Sequence, residues 1–150
     1  MRGENKQPLV IVDADAIIAL SSTSDANYEK AKHVLQFLSS SKTATLFPTT
    51  AICEAVTVLR GRLNKPDDAS RIIKKLQNGD FPIQAVDQEI LMEAARLFNP
   101  LASKKNTLFD AVVATLAKRH KADAIFSFDG WYRKIGLTLA SDLIAHSKAT

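Results

Sequence analysis

The sequence has a single cysteine and few glycines, and each scarcity excludes a class of site. Cys53 alone cannot form an intramolecular disulfide or a zinc site built from several thiolates. The five glycines are not clustered, so there is no glycine-rich loop of the kind that cradles phosphates. The three histidines, at positions 33, 120 and 146, match no metal-ligand spacing. We therefore expect neither a cysteine- or histidine-based metal site nor a glycine-rich phosphate loop.

Long hydrophobic runs are also missing, and the charge is only mildly unbalanced. Residues 1–8 are polar and unlike a signal peptide, and the first apolar run is too short to span a membrane. We therefore expect a cytoplasmic protein without membrane association. The net charge of +4 is compatible with a polyanionic partner but does not require one. With 150 residues, 46% of them hydrophobic, the chain is expected to fold as one globular domain.

Short apolar runs alternate with segments of helical periodicity along the whole chain. This order predicts an α/β domain, in which a parallel sheet carries helices on both faces. We assign residues 9–143 to this domain, 1–8 to an N-terminal tail and 144–150 to a C-terminal tail. The predicted strands are Leu9–Val12, Ala44–Phe47, Pro82–Val86, Ala122–Phe128 and, as a fifth, Leu137–Ala140.

Acidic residues stand near the ends of these strands. Asp13 directly follows the first strand, and Glu54 lies in the first turns after the second. Asp110 falls in the first turn of the helix that precedes the fourth strand, and Asp129 ends that strand. Ligands of open parallel sheets bind beyond the carboxyl ends of the strands. We therefore expect these four carboxylates to approach one another at that edge.

Each acid also has a purely structural interpretation. Asp13 could cap the helix that follows it, and Asp129 could be an ordinary turn residue. Asp110 could complete a capping box with Thr107, and Glu54 could be a solvated helical side chain. As a group the acids are harder to explain in this way, since clustered carboxylates repel one another unless a cation is present. Carboxylate oxygens without Cys or His select Mg²⁺ or Mn²⁺, which suits phosphoryl chemistry.

Four segments that contain these acids resemble the motifs of one known family: Val10–Asp15, Thr49–Glu54, Phe109–Ala114 and Ile125–Asp129. Together they are similar to PIN-domain ribonucleases, most closely the VapC-like toxins of bacterial and archaeal toxin–antitoxin pairs. The resemblance covers roughly residues 9–143. It implies an α/β/α sandwich with a five-stranded parallel sheet in the order 3-2-1-4-5. It also implies a metal-dependent endoribonuclease that leaves 5′-phosphate and 3′-hydroxyl ends.

The resemblance assigns roles to particular residues. It implies that four acids are the catalytic ligands of Mg²⁺ or Mn²⁺: Asp13, Glu54, Asp110 and Asp129. Asp15 departs from the family, which often has a small polar residue there, and it would orient a ligand or a metal-bound water. Ser127 stands where the family commonly places a hydroxyl near the metal.

The resemblance also implies partners, namely an RNA substrate, a cognate antitoxin protein and a second copy of the chain in a homodimer. Basic residues that follow or precede the acids in sequence are expected to bind RNA phosphates, although solvated surface positions would explain them as well. They are Arg60, Arg62, Lys104, Lys105, Arg133 and Lys134. Trp131 and Tyr132 could stack on bases, with core packing as the favoured alternative for Trp131.

Three rival interpretations remain at this stage. A haloacid-dehalogenase-like phosphatase would use Asp13 as its nucleophile and Asp15 as acid/base, but Ala16 and a single late aspartate do not fit it. A phospho-receiver domain would use Asp87, but no lysine follows the last strand where it is needed. A PIN-like protein that binds RNA without cutting it is the third, and the complete set of acids argues against it.

Overall fold

The computed structural model describes residues 6–149, and in them four parallel strands form one sheet in the order β3-β2-β1-β4. The strands are β1 (Leu9–Val12), β2 (Ala44–Pro48), β3 (Ile83–Gln84) and β4 (Ala124–Phe126). The helices are α1 (Ala14–Ser21), α2 (Tyr28–Ser40), α3 (Thr49–Arg60), α4 (Pro66–Gln77), α5 (Gln88–Leu97), α6 (Leu108–His120), α7 (Trp131–Lys134) and α8 (Ala140–Ala149). The predicted α/β architecture is confirmed.

The central strand β1 is buried on both faces, because its alternate side chains enter two separate cores. Val10 and Val12 pack with α1, α2, α3 and α4 on one side of the sheet. Ile11 packs with α5 and α6 on the other side. Ile11 is in register with Leu46 of β2 and with Ile125 of β4. The continuous apolar run read in the sequence thus reflects a strand between two helical layers.

The predicted fifth strand, Leu137–Ala140, is not formed as a strand. One parallel bridge joins Leu139 to Ile125, which places this segment beyond β4 in the expected order. The segment is short because Gly136 turns the chain with a φ of +87°, and α8 already begins at Ala140. Within residues 6–149 the sheet therefore has four strands and not the predicted five.

Several predicted boundaries also shift. β3 shrinks to two residues, since Pro82 has no N–H to donate and the N–H of Val86 donates to the Thr49 hydroxyl at 3.2 Å. The segment 144–149, which we assigned to a tail, lies in α8, and residues 1–5 of the predicted N-terminal tail lie outside the described residues. None of the helices within residues 6–149 combines the length and hydrophobicity needed to cross a lipid bilayer.

Candidate active site

A cleft of about 360 Å³ opens at the carboxyl edge of the sheet, and five carboxylates line it. They belong to Asp13, Asp15, Glu54, Asp110 and Asp129. The structure thus brings together all four acids that were predicted as ligands, along with Asp15, which was predicted to orient a ligand or a metal-bound water. The acids come from segments far apart in sequence, because parallel strands deliver their carboxyl ends to the same edge. We call this space the acidic cleft.

Asp13 is the most deeply buried of these acids, with a side chain that is 4% exposed. It follows β1 and caps α1, where its Oδ1 accepts a hydrogen bond from the N–H of Ala14 at 2.7 Å. Its Oδ2 accepts a hydrogen bond from the hydroxyl of Tyr132 at 2.6 Å. Burial raises the pKa of Asp13 well above its usual value, and the charge of Asp15 raises it further.

Asp15 connects α1 to the end of β4. Its Oδ2 accepts hydrogen bonds from the Ser127 hydroxyl at 2.9 Å and from the N–H of Phe128 at 2.8 Å. The Ser127 hydroxyl oxygen in turn accepts from the N–H of Asp129 at 3.1 Å. Ser127 is 3% exposed and does not line the acidic cleft, but its hydroxyl hydrogen-bonds to two residues that do, Asp15 and Asp129.

Glu54 projects from α3 into the acidic cleft, and one of its oxygens, Oε2, is buried without a hydrogen-bond partner. Burial raises the pKa of Glu54 to about 7, and the charges of Asp110 and Asp15 contribute to this shift. Arg62 opposes the shift. A solvated surface carboxylate would show neither feature. The alternative that Glu54 is merely a solvated helical side chain is therefore wrong.

The carboxylates of Asp110 and Asp129 both stabilise local structure through hydrogen bonds and line the acidic cleft. Asp110 forms the capping box expected with Thr107, whose N–H donates to Asp110 Oδ2 at 2.8 Å. Burial raises the pKa of Asp110 above its usual value. Asp129 Oδ1 accepts from the N–H of Trp131 at 2.9 Å, and Oδ2 accepts from the side-chain amide of Asn106 at 3.0 Å. These bonds hold both carboxylates at the rim of the cleft.

The chemistry of the acidic cleft fits a hard divalent cation. Its lining supplies five carboxylates and neither histidine nor cysteine. Asp15 Oδ1 and Glu54 Oε2 are buried oxygens without a hydrogen-bond donor, and a bound cation would satisfy their lone pairs by coordination. Within residues 6–149, however, no three acidic, histidine or cysteine side chains are gathered closely enough to form a ready-made metal site. Each oxygen of Asp13 and of Asp129 accepts one hydrogen bond from a protein donor, which leaves each a further lone pair for a cation.

The six basic residues predicted to bind RNA do not all reach the acidic cleft. Arg62, Lys104 and Lys105 line it. Lys134 lines a neighbouring groove instead. Arg133 points its guanidinium to Asp142, with hydrogen bonds of 2.7 and 3.1 Å, and Arg60 is exposed at the end of α3. Positive charge therefore surrounds the acids on the side formed by the loop before α6 and the loop after α3.

The prediction that Tyr132 could stack on a base is wrong, because its side chain is fully buried. Its hydroxyl contacts Asp13, which lies 119 positions earlier in the chain. A buried tyrosine hydroxyl normally has a hydrogen-bond partner. A tyrosine on the core-facing side of a short helix therefore indicates that such a partner exists. The sequence does not reveal which partner it is.

We expect Tyr132→Phe to destabilise the metal-free protein at pH 8 by about 1–3 kcal/mol, since the substitution leaves a buried carboxylate oxygen without its donor. Urea unfolding followed by circular dichroism measures this difference. Tyr28→Phe is the matched control, because Tyr28 is the only other tyrosine in the sequence and is partly exposed on α2. Equal stability of the Tyr132→Phe variant and the wild type would show that the Tyr132 hydroxyl does not stabilise Asp13.

Comparison with known proteins places this arrangement in a family. A search of curated proteins found no match. Among solved structures, the fold is similar to VapC20 of Mycobacterium tuberculosis, described as a toxin that cleaves the sarcin–ricin loop. The TM-score is 0.72 at 18% sequence identity, over 86% of this chain and 96% of that one. The family model of the PIN domain matches residues 10–136, which is most of the sequence. The chain belongs to the PIN domain family.

Proposed function

We propose that this protein is an endoribonuclease that hydrolyses RNA phosphodiester bonds with the help of Mg²⁺ or Mn²⁺. The observation that supports this proposal best is the acidic cleft. In it, five carboxylates from four separate segments share one space beside three cationic side chains. Such a combination suits a negatively charged substrate that is bridged to acidic residues by a cation. A phosphatase of the haloacid-dehalogenase type and a phospho-receiver domain do not agree with membership of the PIN domain family.

Four residues would hold the cation: Asp13, Glu54, Asp110 and Asp129. A bound divalent cation supplies a more acidic water and offsets the charge of the phosphate. Asp15 keeps the end of β4 against α1 through Ser127 and Phe128, and so fixes the acids relative to one another. Arg62, Lys104 and Lys105 attract the RNA backbone to the cleft.

A nuclease assay tests the proposal. Purified protein should cleave single-stranded RNA in Mg²⁺ or Mn²⁺, and a chelator should stop the cleavage. The products should carry 5′-phosphate and 3′-hydroxyl ends. p-Nitrophenyl phosphate should stay intact, since no aspartyl nucleophile is involved. RNA that binds the protein but is not cut in any divalent cation would instead support the alternative of a non-catalytic RNA-binding protein.

We also propose that the nuclease is the toxin of a toxin–antitoxin pair and acts in the cytoplasm as a homodimer. The similarity to VapC20 is the support for this role, and at 18% identity it extends only to the fold. The expected genetic context is a small neighbouring reading frame that encodes the antitoxin. Expression of the chain alone should arrest growth, and co-expression of that neighbour should restore it. Light scattering after size-exclusion chromatography measures the expected dimer.

A further inference from the structure

A second cavity of about 470 Å³ opens directly beside the acidic cleft. The two spaces share Lys105, Thr107 and Asp129 as a common wall. We call the second space the side groove, and its characteristic side chains are Phe98, Lys105, Asn106, Asp129, Trp131 and Lys134. Its volume is within the range of pockets that bind a ligand of nucleotide size. The side groove therefore lies next to the acidic cleft, on the side of Lys105 and Asp129.

The side groove combines an aromatic ring with unpaired positive charge. Trp131 is partly exposed, and its ring contacts Tyr132 at a centroid distance of 5.3 Å and an interplanar angle of 61°. Because Tyr132 is fully buried, this contact anchors the indole. Within the described part of the chain, the ammonium groups of Lys105 and Lys134 form no ion pair, whereas neighbouring Arg133 is paired with Asp142.

We propose that the side groove binds an unpaired RNA nucleotide adjacent to the phosphate that is cut. The base stacks on Trp131, and Lys105 and Lys134 contact the flanking phosphates. Stacking on aromatic side chains and cationic contacts to the backbone are the two features by which proteins hold single-stranded nucleic acid. The inference rests on the proposed nuclease function, and it adds a binding subsite for one unpaired nucleotide beside the cleft.

The assay uses the fluorescence of Trp131, which is the only tryptophan in the sequence. The Asp110→Asn variant is titrated in Mg²⁺ with an RNA hexamer of mixed sequence, because it should bind RNA without cutting it. We expect the hexamer to quench the emission of Trp131. A hexamer of abasic ribose phosphates carries the same charge but no aromatic face, and it should leave the emission unchanged.

Substitutions separate the stacking from the charge. In fluorescence anisotropy with end-labelled RNA in the Asp110→Asn background, Trp131→Leu should weaken binding about 5- to 100-fold, and Trp131→Phe should largely preserve it. Lys134→Ala should weaken binding several-fold and reduce its salt dependence. Lys118→Ala is the matched control, since Lys118 is exposed in the last turn of α6, at the opposite edge of the sheet. Urea unfolding of each variant identifies losses that are caused by misfolding.

The outcomes distinguish the subsite from the nuclease itself. If wild-type protein cleaves RNA but the hexamer does not change Trp131 emission, and Trp131→Phe, Trp131→Leu and Lys134→Ala bind normally, the side groove is not a nucleotide subsite. If these variants lose binding to a small protein partner and retain RNA binding, the groove is a protein-docking site and the inference is wrong. If the wild type neither cleaves nor binds RNA, the proposed function fails and the subsite fails with it.

Discussion

Asp110→Asn should lower the rate of RNA cleavage at least about 100-fold and leave the protein folded. The asparagine side chain retains an oxygen that can accept from the N–H of Thr107, so the capping box of α6 can persist. The substitution removes a negative charge that the cleft would use to hold a divalent cation. The prediction is checked by initial rates on a labelled RNA at saturating Mg²⁺, together with thermal unfolding of both proteins.

Asp123→Asn is the matched control for this experiment. Asp123 also accepts a hydrogen bond from a backbone N–H, that of Leu9 at 2.8 Å, but it lies at the opposite edge of the sheet. We expect its cleavage rate to stay close to that of the wild type. A folded Asp110→Asn variant that cleaves RNA as fast as the wild type would remove Asp110 from the catalytic residues.

Glu54→Gln should stabilise the metal-free protein at pH 8, although it should abolish metal-dependent cleavage. The pKa of Glu54 is raised from 4.5 to about 7 in the folded protein, so the folded state binds this proton more tightly than the unfolded state. The resulting stability is fully present below pH 4.5 and is lost as the pH rises through about 7. Above that pH the wild type carries a poorly solvated charge that glutamine lacks.

The expected gain in the free energy of unfolding at pH 8 is about 1–2 kcal/mol, and it should vanish near pH 4. The full shift corresponds to about 3 kcal/mol, and partial contact with solvent screens part of it. Urea unfolding in EDTA across this pH range measures the difference, and Glu29→Gln, on the exposed side of α2, is the control. Mg²⁺ at about 100 times its dissociation constant should then stabilise the wild type by about 2.7 kcal/mol and the variant by less. A variant that is less stable than the wild type at pH 8 in EDTA would contradict this account of Glu54.

The separation of Asp13, Glu54, Asp110 and Asp129 along an alternating α/β pattern was sufficient to predict that they meet at one edge. In any parallel sheet the carboxyl ends of the strands meet at the same edge, and this does not depend on detailed packing. The capping box at Thr107 was also readable, because both of its partners lie within one helical turn.

Patterns of nearby residues were enough to predict the alternation of strands and helices, the burial of β1 and the position of the acids near strand ends. Periodicity and capping depend on residues close together in the chain. The contacts of Tyr132 with Asp13 and of Arg133 with Asp142, and the position of Trp131 beside a groove, followed only from the folded chain. The same holds for Leu137–Ala140, which supplies a single bridge. These features depend on how the loops and short helices after β4 pack against distant segments, and no local pattern encodes that packing.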